Sequence, residues 1–326
     1  MANDTSSAAG ETNGECFSAY STQSLVHRSW WICANGVLIY LGVFLQVSPK
    51  RGINNMIHPT AMIDPAARLD STVSVGPYAI IEGPVTIGPN CVIGAHARII
   101  GPLAMGRGNR VHSFAVLGDT PQDMKFHDQD SGVAIGDENI FRENVTVHRG
   151  TGGQTVIGSH NFLMVASHVG HNCCVGNHVT LVNGALLAGH VVVQDKAIIG
   201  GNCAVHQHCR VGRLAMISNV SAHNTDIPPF CIAMNINMVT QLNAVGLRRS
   251  GMSRESQNAL REMFRWIYRT RAGIPLAKAM DEIPAELAAV PEIQEFAVFV
   301  KATKRGGARF RPWSQRHGGL VAAETG

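Results

Sequence analysis

Histidine is the side chain with which this chain is best equipped to do chemistry. His171 lies two places after Val169, His190 three after Leu187, and His206 and His208 one and three after Val205; the three aliphatic residues are themselves 18 apart. Imidazole titrates near pH 6.5 and so suits the removal of a proton from a hydroxyl at neutral pH. His171 is the candidate general base. Cys173, Cys174, Cys203 and Cys209 lie among these histidines, which raises metal ligation as a rival. Small thiols also fill tight corners as compact hydrophobes, and the chain has no paired CxxC spacing of the zinc type, so no metal is assigned.

A spacing of 18 has meaning only if the chain returns to the same place every 18 residues. From Ile157 to Ile217 every sixth residue is Ile, Leu or Val, and the same register runs from Ile57 to Leu117 with Met105 as its one methionine. A period of six is neither helical nor simply that of a strand. It is the signature of short strands joined by turns and wound into a coil with one inward aliphatic residue per wall. Three walls per turn give an 18-residue repeat with turns stacked about 4.8 Å apart, so the histidines fall on one wall of three consecutive turns. Eight to nine turns are expected. Two segments leave the register: 118–132 (GDTPQDMKFHDQDSG), after which it returns in phase at Ile135, and 148–156 (HRGTGGQTV), which shifts it by four residues. Loops on a rigid solenoid commonly carry specificity. A flat wall has no pocket of its own, so the site needs a loop or a second subunit as its lid.

Composition agrees. The 326 residues include 34 glycines and only 6% aromatic residues, which favours small-radius turns over thick packing. A net charge of +4 is too mild to argue for nucleic acid. Eight cysteines without a short disulfide framework point to a reducing, cytoplasmic setting. The expected organisation is an irregular extension over 1–55, the coil over 56–230, a connector over 231–252, an α-helical domain over 253–303 opened by Ser253 as N-cap, and an irregular tail over 304–326. Residues 30–47 are uncharged and apolar enough to offer membrane contact if they are translated and inserted. The alternative is that the natural start is Met56.

The segments GDTPQDMK (118–125), RENVTVHRGT (142–151), SHVGHNC (167–173), LAGH (187–190), IIGGNCAVHQ (198–207), DIPPF (226–230) and LNAVGLRRSGMS (242–253) closely resemble the acyltransferases that acylate UDP-N-acetylglucosamine at the start of lipid A synthesis. The resemblance spans about Met56 to Arg311. It implies a mainly β protein, a left-handed parallel β-helix with a C-terminal α-helical domain, assembled as a homotrimer with sites between subunits. It implies transfer of a 3-hydroxyacyl group from acyl carrier protein to the 3-hydroxyl of the sugar, without a cofactor or metal, because a thioester is already activated. Carried over motif by motif, His171 is the base and the Gly189 N–H the oxyanion donor. His168, His190 and His206 position substrate, Gln122, Asp123 and Lys125 contact the sugar nucleotide, and Asn243 and Arg249 serve its diphosphate and nucleotide side. The arginines at 248, 249, 254, 261, 265 and 269 would meet the acidic carrier protein.

The sequence departs from the family at telling places. Asn172 follows the base where Asp is frequent, Met234-Asn235-Ile236 replaces a Gly-Asn sequence with one residue missing before it, and Ser250 replaces a second Arg. Asn219 stands where long-chain members carry Gly at the floor of the acyl groove, which implies a shorter acyl donor. The competing readings are an acetyl-CoA-dependent sugar acetyltransferase, a non-catalytic paralogue that only binds acyl carrier protein, and a hexapeptide lyase of the γ-carbonic anhydrase type.

Overall fold

The computed structural model describes residues 57–303 and the strands at 31–34, 37–40 and 309–310. Its regularity begins with the backbone at the corners. From Ile157 to Ile217 the third residue after each inward aliphatic residue takes the left-handed conformation: Asn172 after Val169, His190 after Leu187, Lys196 after Val193, His208 after Val205 and Val220 after Ile217 have φ between 54° and 63°. For an L residue this costs roughly 1–2 kcal/mol. The ladder offsets it, because the turned N–H groups meet a carbonyl of the turn before, or for Asn172 the Thr155 hydroxyl. The His190 N–H donates to the His171 carbonyl at 2.9 Å and that of His208 to the Gly189 carbonyl at 3.0 Å.

Three corners per turn make three parallel walls, of eight, nine and eleven strands. One runs from Arg68–Leu69 to Arg210–Val211. A second runs from Ser74–Val75 through Met216–Ile217 and is extended by Cys231–Met234, Met238–Leu242 and Arg309–Phe310; the third runs from Met62–Ile63 to Ala222–His223. Strands of two or three residues suffice, since each contributes one side chain to the interior. Ile81, Ile99, Leu117, Val147, Val169, Leu187 and Val205 follow one another up the third wall, all essentially inaccessible. The next rung is His223, also buried, with neither ring nitrogen hydrogen-bonded.

Stacked turns bring like positions together. Tyr78, His96 and Phe114 stack at one corner with ring centroids 5.2 and 5.0 Å apart, and His160 stacks on His178 at 4.8 Å at another. Asn109, Asn139 and Asn161 form a buried ladder in which Asn139 Nδ2 donates to Asn109 Oδ1 and the Asn161 and Val179 N–H groups donate to the next carboxamide oxygens down.

The segment 231–252 is more than a connector. Cys231–Met234 pairs in parallel with the coil and in antiparallel with Met238–Leu242, the turn being made by Asn235 and Asn237 at positive φ. Helix α1 (Ala244–Arg249) follows. Helix α2 (Arg254–Arg265) is capped by Ser253, whose Oγ accepts from the Ser256 N–H at 3.0 Å, as the sequence predicts. Helices α3 (Leu276–Asp281) and α4 (Ala285–Ala288) are separate because Pro284 cannot continue the hydrogen-bond ladder. Helix α5 (Pro291–Lys301) completes the domain, which buries Leu247, Leu260, Met263, Phe296 and Phe299 in a core of its own.

The rest of the expected extension, 1–30 and 41–55, and most of the tail lie outside the described residues. Within 30–47 the described residues are two strands, Trp31–Ala34 and Val37–Tyr40, paired antiparallel, and 35–36 also lie outside the described residues. No helix among the described residues is long and apolar enough to cross a membrane.

Coil and helices are joined by two arginines: Arg213 pairs with Glu295 of α5 at 2.7 Å, and Arg210 reaches the end of α5 from its pair with Asp226. Arg210 on the last strand of its wall binds Asp226 through Nε (2.9 Å) and Nη2 (2.7 Å), and Nη2 also donates to the Phe299 carbonyl and Thr303 Oγ1 of α5 and its end. Asp226 is buried. Removing one partner of a buried pair leaves an uncompensated charge, so Asp226→Ala should destabilise the protein by about 3 kcal/mol. Urea titration followed by helix circular dichroism should show an earlier transition; an unmoved midpoint would mean that the helices dock without this pair.

Candidate functional site

The walls fix where the histidines go. The third wall aligns Thr146 with His168 and His168 with Leu186, and Val169 with Leu187 and Val205. His171 therefore lies one turn from Gly189, while His190 shares a corner column with Asn172 below and His208 above. The rings of His171 and His190 meet edge to face at 5.1 Å; those of His190 and His208 stack at 4.4 Å. His148, which the 18-residue spacing does not reveal, packs edge to face on His168 at 4.8 Å.

Around His171 the hydrogen bonds settle which nitrogen carries the proton. Asn172 Oδ1 lies 2.9 Å from His171 Nδ1 and also accepts from the Thr151 N–H at 2.9 Å. A backbone N–H can only donate, so the atom it meets is the carboxamide oxygen, and the imidazole nitrogen facing that oxygen has to be N–H. The lone pair is left on Nε2. That nitrogen lies over Gly189, where a Cβ would collide with it. Glycine is required there for close approach, and the Gly189 N–H has no acceptor among the described residues. A proton acceptor thus lies against a residue whose own N–H has no acceptor among the described residues.

The neighbouring imidazoles are held neutral. Burial, aided by His148 and His171, pushes His168 down to about 4, with Nδ1 2.8 Å from Thr146 Oγ1. Burial lowers His148, and the Asp119 carboxylate opposes this in part. His190 is lowered by burial and then by His208 and His171, with Asp123 acting the other way. The field of Asp123 places the 118–132 loop beside the cluster. Asp123 Oδ1 accepts from the Lys125 N–H at 3.0 Å, Gln122 and Lys125 are exposed, and Phe126 lies under the Arg149 guanidinium at 5.4 Å, tying this loop to the second excursion.

The remaining candidates are placed elsewhere. His206 is exposed on the same wall, its Nδ1 3.2 Å from the Gln207 carbonyl. Asn243 is buried and its amide is occupied: Oδ1 accepts from the Gly246 N–H to cap α1 and Nδ2 donates to the Leu214 carbonyl. Arg249 is exposed in the last turn of α1. No hydrogen bond or ion pair joins either to the histidines among the described residues. Asn219 sits at a corner of the second wall, where Oδ1 accepts the Gly201 N–H of the turn below at 2.8 Å. Among the described residues no three His, Cys, Asp or Glu side chains converge as a metal shell.

Residues 226–308 match the family described as UDP-N-acetylglucosamine O-acyltransferase, domain 2, and residues 67–101 match the bacterial transferase hexapeptide family. The chain is 40% identical over 259 residues to the acyl-[acyl-carrier-protein]–UDP-N-acetylglucosamine O-acyltransferase of Stutzerimonas stutzeri, covering 78% of this chain and 100% of that one. It is 44% identical over 215 residues to the enzyme of the same name from Synechocystis, covering 65% and 77%. Among solved structures, the UDP-N-acetylglucosamine acyltransferase of Francisella novicida superposes with a TM-score of 0.74 at 34% identity, over 78% of this chain and 94% of that one. The Arabidopsis acyltransferase superposes at 0.71 with 27% identity, over 78% and 100%. The left-handed parallel β-helix with a helical C-terminal domain is the architecture shared with these structures.

The buried imidazoles have a consequence for stability. His168 and His223 both stand near 4 in the fold against 6.5 as the ordinary value. Between about pH 6.5 and 4 the unfolded chain therefore binds protons that the folded chain does not, so stability is full above 6.5 and declines as pH falls towards 4. Urea midpoints measured from pH 7.5 to 4.5 should fall across that window, and the combined His168→Gln and His223→Leu variant should flatten the decline. An equally steep decline in that variant would place the acid sensitivity in other groups.

Proposed function

The chain belongs to the UDP-N-acetylglucosamine O-acyltransferase family, and we propose that it moves a 3-hydroxyacyl group from acyl carrier protein to the 3-hydroxyl of UDP-N-acetylglucosamine, the first step of lipid A biosynthesis. The observation that carries the reading is the pairing of a lone pair on His171 Nε2 with the unpartnered Gly189 N–H across one turn of the coil.

In this mechanism Nε2 takes the proton of the sugar hydroxyl as its oxygen attacks the thioester carbonyl. The carbonyl oxygen becomes an oxyanion stabilised by the Gly189 N–H. Collapse of the tetrahedral intermediate breaks the C–S bond, and the imidazolium returns the proton to the departing thiolate of the carrier protein. Neutral His168 and His190 line the site without opposing the positive charge that develops on His171, and with His206 they position the substrate. Gln122, Asp123 and Lys125 meet the sugar nucleotide from the 118–132 loop. Asn243 acts by capping α1, and so by fixing Arg249, whose guanidinium suits phosphate oxygens. Because α1 lies apart from the histidines of its own chain, Arg249 serves the site of a neighbouring subunit in a homotrimer. The exposed arginines of α1 and α2 receive the acidic carrier protein. The cysteines at 91, 173, 174, 203, 209 and 231 form no disulfide, which fits a cytoplasmic enzyme.

Incubation with UDP-N-acetylglucosamine and a panel of 3-hydroxyacyl carrier proteins, with acetyl-CoA alongside, should give a product heavier by one 3-hydroxyacyl group by mass analysis. Acetyl transfer instead, or no transfer by folded protein, would overturn the reading. His171→Ala should lower kcat by about 10² to 10⁴ with the fold intact by circular dichroism. Retention of more than half the rate would remove His171 from the role.

Asn219 is proposed as the residue that sets acyl length. Its carboxamide extends over the corner of Gly201, and a side chain a few ångströms longer than Gly excludes about two to three methylenes at ~1.3 Å each. The donor optimum of Asn219→Gly should move to longer chains. An unmoved optimum would show that another residue closes the groove.

A further inference from the structure

Asparagine beside a catalytic histidine brings a difficulty that aspartate does not. A carboxylate presents an acceptor whichever way it is turned, whereas a carboxamide turned over presents Nδ2–H to the imidazole. Nδ1 would then have to accept, the proton would move to Nε2, and the base would lose its lone pair on the working side.

The second excursion supplies what prevents this. Thr151 gives two donors to Asn172 Oδ1, its N–H and its hydroxyl, both at 2.9 Å. With His171 Nδ1–H, three donors converge on that one oxygen. The Asn172 N–H is itself held by Thr155 Oγ1 at 2.9 Å. On the Nδ2 side the chain runs through glycine: a Cβ at Gly150 would stand 2.8 Å from Asn172 Nδ2 and one at Gly153 3.4 Å. Gly152 and Gly153, at φ 65° and 149°, give the loop the turn it needs to wrap the carboxamide.

We propose that residues 150–155 are an orientation lock for the Asn172 carboxamide, and that Thr151 is a positioning residue which keeps His171 in its Nδ1–H form. The proposal rests on the reading of His171 as the base. It explains how the chain does without the aspartate frequent in its family.

The test compares Thr151→Val, which keeps shape and removes the hydroxyl donor, with Thr151→Ser, which keeps the donor. The backbone donor survives in both. Thr151→Val should lower kcat about tenfold, with KM changed less than about twofold, as expected when a base is misoriented rather than substrate lost. Long-range ¹⁵N–¹H correlation of histidine-labelled protein should show His171 shifting from a single Nδ1–H form to a mixture, and Thr151→Ser should restore both readouts. In an Asn172→Asp background, where no flip is possible, Thr151→Val should change kcat by less than about twofold. Wild-type kcat and an unmixed tautomer in Thr151→Val would overturn the lock. So would an equal loss in the Asn172→Asp background, since that would mark Thr151 as packing alone. If His171→Ala retains turnover while Thr151→Val still mixes the tautomer, the base assignment fails and the lock stands.

Discussion

Every feature of this molecule depends on a corner that turns the chain left-handed once in six residues. Three such corners close a turn of 18 residues, and the next turn must then lie over the last in register. The cost at each corner falls on residues that do not favour it, Val220 and Leu214 among them. What holds them is the ladder above and below, so the corner and the stacking are one constraint seen from two directions. A single turn could not pay for its own geometry; many turns can, which is why such coils are built from repeats.

The same register that stacks Ile on Ile also stacks imidazole on imidazole, and it separates histidines that look alike in sequence. His190 and His208 occupy a corner column just as His160 and His178 do, and ring stacking of that kind needs no function. His171 is different because its neighbour one turn on is a glycine, which lets its Nε2 lie against the backbone where a Cβ would collide with it. Burial then does the rest. It holds His168, His148 and His190 below their ordinary range, so the cluster stays short of positive charge when a proton arrives on His171.

Much of this was legible in the sequence because the period of six is uninterrupted where the core needs it. Wall assignment, the inward ladder, the two excursions and the Ser253 cap follow from spacing and residue type. Three things were not legible in that reading, each for a physical reason. His148 and Thr146 lie 20 and 22 residues from their partner His168, because the second excursion breaks the 18-residue count, so spacing alone does not pair them. Thr151 reads as a loop residue until Asn172 is seen beneath it. The pairing of Trp31–Ala34 with Val37–Tyr40 is not in the hydropathy, which registers only that both runs are apolar.

The flatness of the walls follows from the same corner. A wall kept flat by its ladder cannot fold over a substrate, so enclosure has to come from chain that escapes the register. The 118–132 loop and the 148–156 excursion supply it on one side, tied together where Phe126 meets Arg149. The second of these also reaches inward, to Asn172, and so shapes the wall it covers. Basic residues suited to a diphosphate gather instead around α1, which Asn243 fixes against the end of the coil through Leu214. Among the described residues no hydrogen bond or ion pair joins these basic residues to the histidines of the third wall.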